Sequence, residues 1–135
     1  DKINNEVKHR EDWRPFCPSI LEEHYEKYIE ASSDSPFMIM AFPVNKALWD
    51  KIPSCVHIDK TARPQVVKKE SNELYWNLIK EYEKITGYGV IINTSFNIQG
   101  EPIVESPEHA IRCFAGTGID ILVIGNYIVK KPITI

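Results

Sequence analysis

The chain is short of the features that mark several large classes of protein. It has three cysteines in 135 residues, Cys17, Cys55 and Cys113. They are odd in number, widely spaced and in no CxxC pair, which excludes a disulfide framework or a cysteine zinc site and reads as buried, inert thiols of a reducing compartment. No stretch reaches the roughly 18 apolar residues of a membrane helix, and no signal peptide opens the chain. A basic excess is missing too: 16 Lys and Arg stand against 19 Asp and Glu, a formal net charge of -3. That balance argues against a broad basic face for nucleic acid, so any anion must be met by a local cluster. The expectation is a cytoplasmic protein whose partners include neither nucleic acid nor membrane. Familiar catalytic patterns are also absent. His9, His24, His57 and His109 show no HExxH spacing, and no metal ligand set is predicted. Gly116-Thr117-Gly118 lacks the Lys-Ser/Thr of a phosphate-binding loop, and Ser95 lacks the GxSxG elbow of a nucleophile.

What is there suits one domain with a real core, since a chain of this length buries about two thirds of its unfolded surface. It starts at Asp1, with Ile3 and Val7 at helical spacing, as though entered partway along a helix. The expectation is a piece of a longer chain.

Helix and strand signals alternate. Ser19 with Glu22 forms a capping box ahead of a helical stripe of Ile20, Leu21, His24, Tyr25, Tyr28 and Ile29. The loop from Ser32 to Pro36 ends it, and Phe37 to Val44 reads as a strand. Asn45 caps a short helix through Trp49 to Ile52, which Pro53 stops. Val56 to Ile58 and Gln65 to Val67 are short strand candidates. The clearest helix runs from Ser71 or Asn72 to Thr86, packing Leu74, Tyr75, Leu78, Ile79, Tyr82 and Ile85, with Gly87 as its stop. The last third reads as a βαβ unit. It comprises a strand from Gly89 to Ile92, a helix capped by Ser106 with Pro107 in its first turn, a stop at Gly116-Thr117-Gly118, and a strand from Ile119 to Ile124. A crossover of that length favours parallel pairing. Gly125-Asn126 then turns a hairpin into Tyr127 to Val129. The fold class expected is α+β.

Two regions carry chemistry. The apolar segment from Tyr88 to Ile92 breaks into Asn93-Thr94-Ser95-Phe96-Asn97-Ile98-Gln99-Gly100-Glu101-Pro102, a buried strand delivering polar groups to a sheet edge, where open α/β sheets bind ligands. The second is a set of cations beside polar turns: Lys8, His9, Arg10 and Arg14 before Pro15, and Arg63 after Thr61-Ala62. A turn with Thr61 and Arg63 supplies hydroxyl, backbone and guanidinium donors, the combination a phosphate or carboxylate needs.

Several segments in order resemble the C-terminal domain of the O-carbamoyltransferases, a family that places carbamoyl groups on antibiotic, Nod-factor and saccharide hydroxyls. They are Val7 to Glu11, Trp13 to Ser19, Ser35 to Met38, His57 to Gln65, Asn93 to Val104, and Ser106 to Phe114. The likeness covers nearly the whole chain. It implies a YrdC-like domain over residues 1–135, a twisted mixed β-sheet flanked by helices. It implies conversion of carbamoyl phosphate and ATP, with magnesium (Mg2+), to carbamoyl adenylate. Transfer to an acceptor hydroxyl would follow in a covalently linked upstream ASKHA-type domain, where an iron-type metal would reside. The resemblance assigns catalytic cations to Lys8, Arg14 and Arg63 and the adenylate pocket to Asn93 and Ser95; Thr94 of the polar loop and Thr61 of the polar turn complete the expected cofactor-binding set. Small-molecule substrates and a homodimer are compatible with it. The family's upstream Arg-Ala-Leu-Gly segment is absent here, and Gln99 stands where many members carry Arg or Lys. A threonylcarbamoyl-adenylate synthase-like enzyme and a non-catalytic interaction module are the alternatives.

Overall fold

The computed structural model describes residues 2–31 and 33–132; Ser32 of the expected loop lies outside them. Packing divides the chain into two compact units, one built from residues 15–94 and the other from residues 2–14 with 95–132. The elements are α+β in kind.

The unit of residues 15–94 is organised by a three-stranded mixed sheet in the order β4-β1-β5. Strand β1 (Cys17–Leu21) runs parallel to β4 (Gln65–Val67) and antiparallel to β5 (Val90–Asn93), in a register that pairs Ser19 with Gln65 and Cys17 with Asn93. The helix expected to begin at Ser19 is therefore corrected: Ser19 to Leu21 are buried and extended, and α1 is only Tyr25–Tyr28. Pro18 explains the switch. It drives Cys17 extended, and its missing N–H falls before the ladder to β4 begins at Ser19.

Ile20, Tyr28, Ile29, Phe42, Val44 and Ala62 form the main core of this unit. The predicted strand from Phe37 to Val44 shrinks to β2 (Phe42–Pro43), which pairs with β3 (Thr61–Ala62). Met38 breaks the extended run at φ 53, and Phe37, Ile39 and Met40 are exposed. Asn45 does cap a helical turn, accepting from Ala47 N–H, but that turn covers only Lys46–Leu48 and Pro53 opens another instead of ending this one. Val56 to Ile58 is not a strand; His57 accepts from Lys60 N–H in a tight turn, with Lys60 at φ 67.

Helix α2 (Glu73–Thr86) matches its prediction closely. The Asn72 side chain accepts from Tyr75 N–H at the start, and Gly87 at φ 79 takes the left-handed conformation that closes helices. Its packing face is narrower than the apolar stripe suggested. Ile79, with Tyr75 and Trp76, covers Leu21 and Val67, while Leu74 and Ile85 are 84% and 85% exposed.

In the other unit, residues Ile3–Lys8 make a wide helical turn. Helix α3 (Pro107–Ala115) is capped by Ser106, whose hydroxyl accepts from His109 N–H, and ends at Gly116. The hairpin of β6 (Ile121–Ile124) and β7 (Tyr127–Lys130) turns at Gly125, φ 55. Ala110 and Phe114 pack on Leu122, giving this two-stranded ribbon the apolar cover it needs. The predicted parallel βαβ pairing is corrected here: β5 and β6 belong to different sheets, and β6 pairs antiparallel with β7. Ile121 and Val123 are exposed, so β6 is not the doubly covered strand its composition suggested.

Candidate functional site

Lys8 is nearly fully buried, at 4% exposure, and its ammonium is surrounded by oxygen. Nζ donates to the Ser95 carbonyl and to Ser95 Oγ at 3.1 Å, and to the Asn97 carbonyl and Oδ1 at 3.0 and 2.8 Å. Gln99 N–H donates to the Lys8 carbonyl at 3.3 Å, so both ends of this lysine hold the polar loop. Burial and the neighbouring Arg10 pull its pKa below the ordinary lysine value. The four oxygens nevertheless fit the charged form, which alone donates three protons. Lys8 thus shapes residues 95–99 before any ligand is considered.

The residues after Lys8 are held by Asn4, itself buried. Its amide nitrogen donates to the carbonyls of Asp12 and Arg14, and its Oδ1 accepts from Arg10 Nε at 2.8 Å. Arg14 pairs with Glu11 at 2.8 Å and lies 6.0 Å from the Trp13 ring centroid. In this unit, then, Lys8 and Ser95 are brought into direct contact, while Arg14 is engaged with an exposed carboxylate.

The unit of residues 15–94 holds the other predicted site residues. Arg63, in the two-residue gap between β3 and β4, is exposed, and its Nε and Nη2 both donate to Cys17 Sγ at 3.4 Å. Cys17 pairs across the sheet with Asn93, so Arg63 and Asn93 belong to the same end of the β1-β5 ladder, where Thr94 leaves it. Thr61 is turned to other partners. Its hydroxyl and N–H both donate to Asp59 Oδ1, at 2.7 and 3.0 Å, and His57 Nδ1 lies 3.1 Å from the hydroxyl. These bonds hold the Asp59 carboxyl below the usual carboxylate range. Thr61 is thus engaged with Asp59, and Arg63 with Cys17.

Asn93 belongs to a network that sequence reasoning missed. Its Nδ2 donates to Ser19 Oγ at 3.0 Å and to Gln65 Oε1 at 2.8 Å, and Ser19 Oγ donates to the same Gln65 oxygen at 2.8 Å. The three side chains run across β5, β1 and β4. The only available signal was the extended segment Cys17-Pro18-Ser19-Ile20-Leu21, which masqueraded as a helix start. Asn97, the second anchor of Lys8, stood in the polar run without a role of its own.

A cleft of about 430 Å³ in the same unit is lined by Glu22, Glu23, Glu26, Asp34 and Lys68, among others. Lys68 is already bridged to Asp34 at 2.7 Å and Glu22 at 3.3 Å, so the surplus charge there repels phosphate. Among the described residues, no three His, Cys, Asp or Glu side chains gather as a metal cage. No helix among the described residues is long and apolar enough to cross a membrane.

The family described as carbamoyltransferase C-terminus matches residues 1–131. An uncharacterized protein of Methanocaldococcus jannaschii is 50% identical over 133 residues, covering 98% of this chain and 22% of its own length. Nodulation protein NolNO of Sinorhizobium fredii is 41% identical over 134 residues, 97% of this chain and 20% of its own. Nodulation protein U of Rhizobium tropici is 36% identical over 109 residues, 81% of this chain and 19% of its own. The chain thus spans about a fifth of the length of these relatives. With the match running through the Lys8 loop anchor, the Arg63 turn and the Asn93 strand end alike, the chain belongs to the carbamoyltransferase C-terminus family.

Proposed function

We propose that this domain makes carbamoyl adenylate from carbamoyl phosphate and ATP, within a longer polypeptide that passes the carbamoyl group to an acceptor hydroxyl. The observation that carries this reading is the family match over residues 1–131. In the reaction, hydrolysis of carbamoyl phosphate releases phosphate and leaves carbamate. A carbamate oxygen then attacks the α-phosphorus of ATP, and pyrophosphate leaves. The transition state is crowded with negative charge, so fixed cationic and N–H donors lower its barrier without a nucleophilic side chain. Arg63 is the residue for this task, because its exposed guanidinium is tethered to a thiol, has no carboxylate partner among the described residues and keeps donors for an anion. Asn93 and Thr94 lie on the ladder end beside it. Lys8 acts through Ser95 and Asn97, fixing the loop that follows.

The test is isotope exchange between pyrophosphate and ATP by the full polypeptide. Exchange that depends on carbamoyl phosphate is expected. Exchange equally fast without carbamoyl phosphate, or none with it, would overturn the reading.

A further inference from the structure

The hydrogen bonds around Asn93 run in one direction. Gln65 Oε1 accepts twice, from Ser19 Oγ and from Asn93 Nδ2, and both protons of the Asn93 amide are spent on Ser19 and Gln65. Turning the Asn93 amide alone would set two carbonyl oxygens face to face at about the 2.8 Å now spanned by its hydrogen bond, which is repulsive. Ser19 is fully buried, so water does not compete for its hydroxyl, which also neighbours the Tyr75 hydroxyl. What remains of the Asn93 carboxamide is Oδ1, which has no hydrogen-bond partner among the described residues, on a half-buried side chain. That oxygen can only accept. Its ladder partner Cys17 carries the Arg63 guanidinium, so the two functions at this strand end are complementary: a cation for an anionic oxygen and an acceptor for a donor.

We propose that Ser19 and Gln65 are positioning residues that lock Asn93 as a hydrogen-bond acceptor, and that the substrate group it selects is an amino group. The inference rests on the carbamoyl-adenylate reading, in which two ligand groups have that chemistry: the 6-amino group of adenine and the amino group of carbamoyl phosphate. An acceptor left without a partner in the fold favours a ligand that brings a donor over one that brings a carbonyl or a methyl, which leaves that acceptor unpaired once the ligand covers it.

The experiment measures calorimetric affinities of the full polypeptide for two ligand pairs: ATP against inosine triphosphate, and carbamoyl phosphate against acetyl phosphate. In one pair the amine-bearing ligand is expected to bind about tenfold tighter or more. Gln65→Leu and Asn93→Ala should reduce that ratio to about twofold or less, while Gln65→Glu, which keeps an acceptor oxygen, should preserve it. Each ratio is taken on one protein preparation, so a variant that is partly unfolded loses sites for both ligands and the ratio stands. The pair that discriminates identifies which amine is read. No discrimination in either pair, or discrimination that survives Gln65→Leu, overturns the proposal. A preference for inosine triphosphate overturns it as well, and means that both amides are turned over together. Failure to bind any of the four ligands instead removes the carbamoyl-adenylate reading, and this inference with it.

Discussion

His24 Nε2 and Glu83 Oε1 meet at 2.5 Å, tying the turn after β1 to α2. Lys80 Nζ bonds the other Glu83 oxygen at 2.7 Å and reaches Glu23 at 3.3 Å. Lys80 foremost holds the Glu83 carboxyl below the usual carboxylate value against the opposing effect of burial, and His24 adds to it. A carboxylate depressed in the folded state contributes stability above its unfolded pKa and loses it as pH falls through the folded value. Glu83→Gln should therefore lower stability above about pH 5 and lose less of it below, the two proteins converging in acid. Partial exposure and screening keep the effect within about 1 kcal/mol. Urea unfolding at neutral and acid pH reads it; equal acid sensitivity in both proteins would show that the pair is inert.

The oxygen cage around Lys8 makes that residue a structural test. Lys8→Met leaves the acceptors of Ser95 and Asn97 without their donor and is expected to cost about 2 to 3 kcal/mol. Amide hydrogen exchange should accelerate at residues 95–99 more than in α2. Unchanged exchange in this loop would mean that the ammonium does not organise it.

Arg63 separates binding from folding. Arg63→Ala removes charge-assisted bonds to an anion worth about 2 to 3 kcal/mol, lowering kcat/KM for carbamoyl phosphate or ATP about 30-fold or more. Being exposed, it should leave unfolding within about 0.5 kcal/mol of wild type. Kinetics within twofold of wild type would make it an ordinary surface charge.

Gly89 tests the packing that supports the sheet. A Cβ there would sit 2.5 Å from His24 Cδ2 and 2.9 Å from Leu21 Cδ1. Its N–H also donates to Tyr28 Oη at 3.2 Å. Gly89→Ala should destabilise by about 1 to 3 kcal/mol, since ring and leucine must both move. Thermal unfolding equal to wild type would contradict so close an approach.

Elements governed by local chemistry could be read from the chain. Asn72 and Gly87 bound α2, Ser106 and Pro107 start α3, and Gly125-Asn126 turns the hairpin, each through its own neighbours in sequence. Those decided at a distance could not. Ser19 looks like a helix cap until Gln65 and Asn93 stand on either side of it. The same distance effect hid the role of Lys8, whose partners follow it by 87 and 89 residues. Apolar spacing likewise overstated burial on α2, because periodicity states which residues share a face and not whether anything covers it. Arg63 and Asn93 could be picked out as polar residues beside turns, but nothing local indicated which atoms of Asn93 would be consumed within the fold.

The register of β1 also bears on how this chain emerges from the ribosome. Ser19 waits 46 residues for Gln65 and 74 for Asn93, so the central strand is made first and completed last. Until β5 is synthesised, Cys17–Leu21 is an apolar segment with an unpaired edge, the kind of species that misassociates during slow, non-local folding. The N-terminal turn waits longer, since Lys2 meets Asp120 only 118 residues later. Translation thus withholds both units until late, and a pause between residues 70 and 90 would extend the interval in which a chaperone has to shield β1.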